Sequence, residues 1–184
     1  MHSVFTRSAG TPLATAAPVA GGAAASGGPV RVTGRFHTPG QRAKIIDPFG
    51  GPPFVESFAS GAFRRSIAHD RAGLRVLSNH GLSRAGLLPI GTLRSIVPSG
   101  EFEFDLLDVG YAQELLPALR AGQLGMSFRF NPLATRVNLA PTRATDNPEG
   151  IPEVTILEAG LVEISVVTFP AYAAGQSAAL ADVA

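Results

Sequence analysis

A serine, a histidine and a carboxylate are the side chains in this chain best equipped to break a bond. Gly125-Met126-Ser127-Phe128-Arg129-Phe130 alternates apolar and polar residues. A period of two puts Met126, Phe128 and Phe130 on one face of a strand, and Ser127 and Arg129 on the other. If the first face packs into a core, Ser127 and Arg129 point outward together. A hydroxyl becomes a nucleophile only with a base within hydrogen-bond reach, and that base needs an orienting acceptor. Of the four histidines, His80 is the best placed base, because it ends an apolar strand between Asn79 and Gly81. His2 lies in a low-complexity arm, His37 precedes a Pro-Gly loop, and His69 ends a helical stretch, where a cation suits the helix C-terminus. Glu163 sits inside an otherwise apolar run, Leu161 to Phe169. A buried carboxylate needs a partner, so Glu163 either pairs with an arginine or orients the histidine; Glu158 is the fallback. Arg129 either stabilises an oxyanion, directly or through water, or makes a salt bridge on a solvated face. On residue types alone, Ser127 as an ordinary strand serine and His80 as a loop histidine remain open.

Composition removes several other chemistries. The chain has 184 residues, 45% hydrophobic and 16% charged, with a formal net charge of +1. That length favours one domain with ordinary room for a core. The charge balance argues against a dedicated nucleic-acid surface. There is no cysteine, which excludes disulfides, zinc-thiolate sites and cysteine nucleophiles. No two histidines share the short spacing of a metal-binding helix, so neither a metal nor another cofactor is expected. No apolar run approaches the roughly 20 residues of a membrane span.

The elements that must position these residues read as mostly strands. Residues 1–28, rich in Ala, Gly and Pro, read as a flexible arm. Strands are expected over Val30–Phe36, Lys44–Asp47, Leu74–Gly81 (running into a turn), Ile90–Val97 and Glu101–Leu106, the last two as a hairpin. Ser60 reads as the N-cap of a short helix burying Phe63 and Ile67. A helix over Asp108 to Gly122 should kink or split at Pro117. The Ser127 strand follows, then a long irregular loop over 133–152. Glu153–Glu158 and Leu161–Phe169 read as two further strands, and residues 175–184 as an Ala-rich tail or short helix. The architecture expected is mainly β: a closed or nearly closed, mostly antiparallel barrel with peripheral helices, formed by residues 29–174.

Four blocks in order carry a resemblance. They are Glu56 to Phe63 (E-x-x-x-x-G-A-F), Asn79-His80, Gly125 to Phe130 around Ser127, and Glu163 to Ala171. Together the blocks resemble the prohead, or capsid-maturation, serine proteases of tailed bacteriophages, over about Val30 to Ala174. The resemblance implies Ser127 as nucleophile, His80 as general base and acid, and Glu163 as orienter. It implies a fold similar to the herpesvirus assembly proteases, a β-barrel ringed by helices that acts as a dimer. It further implies that scaffold, or the scaffold-like region of the major capsid protein, is the substrate, along with the enzyme itself. The setting would be the procapsid in the bacterial host cytoplasm. No nucleic-acid, membrane or secretory role is expected. The chain departs from the family pattern at Gly81, where an acidic residue is usual, and at Arg129, where glycine is usual. Two non-enzymatic readings stand beside this one: a catalytically silent capsid-assembly module of the same fold, and a β-barrel small-ligand binder.

Overall fold

The computed structural model describes residues 29–46, 51–170 and 177–180. The arm over 1–28 and the chain end over 181–184 lie outside the described residues. The strands are β1 (Arg31–Arg35), β2 (Arg42–Ile45), β3 (Phe54–Phe58), β4 (Arg75–Ser78), β5 (Gly91–Ile96), β6 (Glu101–Leu106), β7 (Gly125–Asn138), β8 (Glu153–Val167) and β9 (Ser177–Leu180). Among the described residues, three short α-helices accompany them: α1 (Arg64–Asp70), α2 (Gly110–Gln113) and α3 (Leu116–Arg120). Among the described residues, no helix is long and apolar enough to cross a membrane.

All nine strands join one sheet, and β8 is its spine. Along one edge β8 pairs antiparallel with β7 over nearly its full length. Along the other it pairs in parallel, first with β3 and then with β4. The chain leaves that edge after Phe58, runs through α1, and returns to it as β4. Beyond β4 the sheet continues through β5, β6, β1 and β9. It curls so that β9 approaches β7, but among the described residues no pairing joins them. The expected closed or nearly closed barrel is therefore corrected to an open, curled half-barrel. Mainly β character and mostly antiparallel pairing hold.

An apolar cluster fills the concave side, with Phe36, Phe58, Phe63, Phe104, Phe128 and Phe130 at 4% exposure or less. Glu101 to Leu106 alternates as expected, and β5 and β6 form the hairpin. On β6, Asp105 points away from the apolar cluster and receives Arg31 at 3.0 Å and Arg94 at 2.6 Å. Burial pushes its carboxyl up, but the two arginines outweigh that and hold it below the usual range.

Several local expectations change. Phe63, not Ser60, occupies the N-cap of α1, with no side-chain cap bond, although Phe63 and Ile67 are buried as expected. The 108–122 helix splits into α2 and α3, with Pro117 in the first turn of α3, where a missing N–H costs nothing. Residues 133–138, expected as loop, continue β7, and the irregular connection is 139–152. The two expected strands after it are one 15-residue strand. Residues 177–180 of the expected tail form β9, paired with β1.

Candidate active site

The site lies on the outward face of β7 and β8. Met126, Phe128 and Phe130 turn inward. Phe128 meets Phe36, Phe58 and Phe63 with ring centroids 5.4, 5.4 and 5.5 Å away. That packing anchors the strand and fixes Ser127 and Arg129 on its opposite face. Gly125 lets Pro170 lie close, since a Cβ there would stand 2.9 Å from the proline Cγ.

Register then selects what faces Ser127. In the β7–β8 ladder Ser127 stands opposite Ser165, and Arg129 opposite Glu163. Directly opposed residues project to the same side, so four polar side chains gather on one face of an apolar sheet. The register shifts immediately afterwards, with Phe130 opposite Leu161. Val162 is thus the extra residue of a bulge, a feature that re-aims side chains beside active sites.

β4 delivers the histidine. It runs parallel to β8, with Ser78 beside Val166, and then turns sharply through Asn79, His80 and Gly81. All three have left-handed backbones, with φ of 48°, 57° and 78°. That turn swings the imidazole over the sheet. His80 Nε2 lies 2.9 Å from Ser127 Oγ, and His80 Nδ1 lies 2.6 Å from Glu163 Oε1. A carboxylate only accepts, so Nδ1 carries the proton and Nε2 accepts from the Ser127 hydroxyl. His80, Ser127 and Glu163 are 8%, 4% and 4% exposed. The relay is thus shielded from water, where a charge-assisted bond is strongest.

The structure brings Ser127, His80 and Glu163 together, keeps Arg129 beside Glu163, and separates Glu158 and the described histidines His37 and His69 from them. Glu158 faces Arg65, with Nη1 at 3.4 Å, away from His80. Arg129 Nε lies 4.0 Å from Glu163 Oε1 and is buried without a hydrogen-bond partner. His37 is buried in the aromatic cluster, its Nε2 donating to the Pro98 carbonyl at 3.0 Å. Burial holds its imidazole below the ordinary value, partly offset by that bond. His69 sits at the end of α1, and His2 lies outside the described residues.

Ser165 is the site residue that residue-by-residue reading passed over. It bonds Glu163 Oε2 at 2.5 Å and accepts the His80 backbone N–H at 3.1 Å. Its signal was present, as Glu163 and Ser165 share strand parity within an apolar run.

A surface depression of about 680 Å³ is lined by His69, Arg71, Arg75, Leu93 and Leu107 among others, with no triad residue among its lining.

No curated protein and no solved structure matches the chain significantly. A protein-family profile described as caudovirus prohead serine protease matches residues 43–183. That span covers most of the chain and includes Ser127, His80 and Glu163, and so the chain belongs to the caudovirus prohead serine protease family.

Proposed function

We propose that the protein is the serine endopeptidase of phage procapsid maturation. It would cut scaffold, or the scaffold-like region of the major capsid protein, and itself. Its place of action is the procapsid within the bacterial host, and its working form a dimer. The observation that carries the reading is the unbroken relay from Ser127 through His80 to Glu163, with bonds of 2.9 and 2.6 Å.

The chemistry follows from those contacts. Ser127 Oγ attacks the scissile carbonyl while His80 Nε2 takes its proton. The Nδ1–H stays on the imidazole and Glu163 stabilises the cation that forms. Arg129, on the same strand face as Ser127, is the candidate for stabilising the oxyanion, directly or through water. His80 then returns the proton to the leaving amine. Water, deprotonated by the same nitrogen, releases the acyl group from Ser127. Crowding enzyme and substrate in one shell would raise the cleavage rate by effective concentration, without new contacts.

The test is co-expression with the partner capsid protein, comparing band sizes for wild type and Ser127→Ala. Cleavage is expected with wild type alone. Arg129→Gln should slow cleavage about 10²-fold or more if its guanidinium meets the oxyanion. Unchanged processing in Ser127→Ala would remove Ser127 as the nucleophile. An uncut substrate with wild type would favour a silent assembly module.

A further inference from the structure

Ser165 stands directly opposite Ser127 on β8 and is fully buried, at 0% exposure. Its Oγ donates to Glu163 Oε2 at 2.5 Å. The same oxygen accepts from the His80 backbone N–H at 3.1 Å. A hydroxyl has one proton and two lone pairs, so both bonds coexist. One oxygen therefore grips the backbone of the base and the carboxylate that orients it.

Both groups need holding. Asn79 and His80 occupy left-handed backbone conformations that side-chain-bearing residues adopt only where their surroundings over-determine them. The bond from the His80 N–H supplies one such determinant. Glu163 offers Oε1 to His80. With Oε2 taken by Ser165, the carboxylate plane has both ends tied and cannot rotate away. Arg129 adds charge at 4.0 Å but no hydrogen bond.

We propose that Ser165 is a positioning residue that sets the His80–Glu163 geometry while touching no substrate. The assignment rests on the reading of Ser127, His80 and Glu163 as a catalytic relay. It adds a fourth side chain, joined to two members of that relay at once.

The test uses the full-length chain and a fluorophosphonate, which labels an activated serine whatever peptide the enzyme cuts. A second readout is the low-field proton resonance of the His80 Nδ1–H, which reports its bond to Glu163. Ser165→Ala is expected to label about 10- to 100-fold more slowly, since a shift near 1 Å in a reacting group costs on the order of 10²-fold. It is also expected to displace or broaden the resonance. Ser165→Cys, of similar size and with a weak donor, should recover part of both signals. It carries the test if the alanine variant does not fold. Wild-type labelling with an unmoved resonance in Ser165→Ala overturns the assignment. So does a loss that only tracks the unfolded fraction in thermal melts. A wild type that does not label, or a Ser127→Ala that does, overturns the relay and the assignment with it.

Discussion

Replacing Gly81 by alanine, valine or aspartate tests how the histidine is delivered. Gly81 closes the left-handed run at φ +78°. A Cβ there would stand 2.4 Å from Leu87 Cδ2 and 3.4 Å from the Gly86 carbonyl. The first contact is severe but cheap, because Leu87 is 74% exposed and its tip can swing out. The second is ordinary. What remains is the cost of a left-handed backbone, about 1–2 kcal/mol for a residue with a β-carbon. Gly81→Ala should lose that much stability, a factor of roughly 5–30 in the folding equilibrium. Valine, branched at Cβ, should lose more. Aspartate should lose less, since its short polar side chain bonds locally in this region. Asn79 and His80 are already left-handed, so relief of strain at Gly81 would rotate His80 and lengthen its bonds to Ser127 and Glu163. Urea unfolding and fluorophosphonate labelling should therefore give one ranking: glycine, aspartate, alanine, valine. An alanine variant stabilised by about 0.4–1 kcal/mol, the usual gain where the backbone is relaxed, would refute the reasoning. Equal tolerance of valine and aspartate would refute it too.

Two further outcomes follow from the same geometry. Glu163→Gln should cut the labelling rate by about 10⁴-fold, the loss seen when a triad carboxylate becomes an amide. Glu158→Gln should stay near wild type, because a surface pair such as Glu158–Arg65 contributes roughly 0–1 kcal/mol; the reverse order would reassign the orienter. His37 governs an acid-side stability effect. Its folded-state imidazole titrates below the ordinary value of 6.5, chiefly through burial, with Arg35 lowering it further and the Pro98 carbonyl and Glu101 raising it. The unfolded chain therefore binds a proton that the folded chain refuses. Stability is full above pH 6.5 and falls as pH drops from there towards the folded value. Urea midpoints between pH 8 and 5 should decline less steeply in His37→Phe, and identical slopes would exclude His37 as the cause.

The parts of the site legible in the sequence are those governed by a short period. Met126, Phe128 and Phe130 had to share a face, so Ser127 and Arg129 had to share the other. His80 and Glu163 stood out because each broke an apolar run. Choosing Glu163 over Glu158 is a different problem, because five residues along one strand amount to a large separation in space. Only the β7–β8 register and its bulge fix which carboxylate faces His80. Ser165 shares the parity of Glu163 in the sequence, but its bond to the His80 backbone, 85 residues away, is not encoded in any local pattern. Barrel closure would need a distant pairing between β9 and β7, and no local periodicity encodes whether that pairing forms. The alanines of 177–180 carry helix propensity, yet pairing with β1 makes them a strand. Both faces of 133–138 are largely exposed, so that end of β7 lacked the alternation that reveals a strand.

Arg129 shows how a local departure from a family pattern is accommodated by cross-strand geometry. Standing two residues after Ser127, it projects on the same face, and register sets it opposite Glu163. A bulky cation with a buried Nε needs a countercharge, and among the described residues Glu163 lies within ion-pair distance of it. Its Nε makes no hydrogen bond, so it neutralises Glu163 without competing with His80 for Oε1 or with Ser165 for Oε2. The carboxylate keeps both directional bonds while its charge is partly balanced from a third side. An arginine is therefore compatible with the relay at this position, because the ladder brings a carboxylate opposite it and the hydroxyl of Ser165 keeps that carboxylate turned towards the histidine.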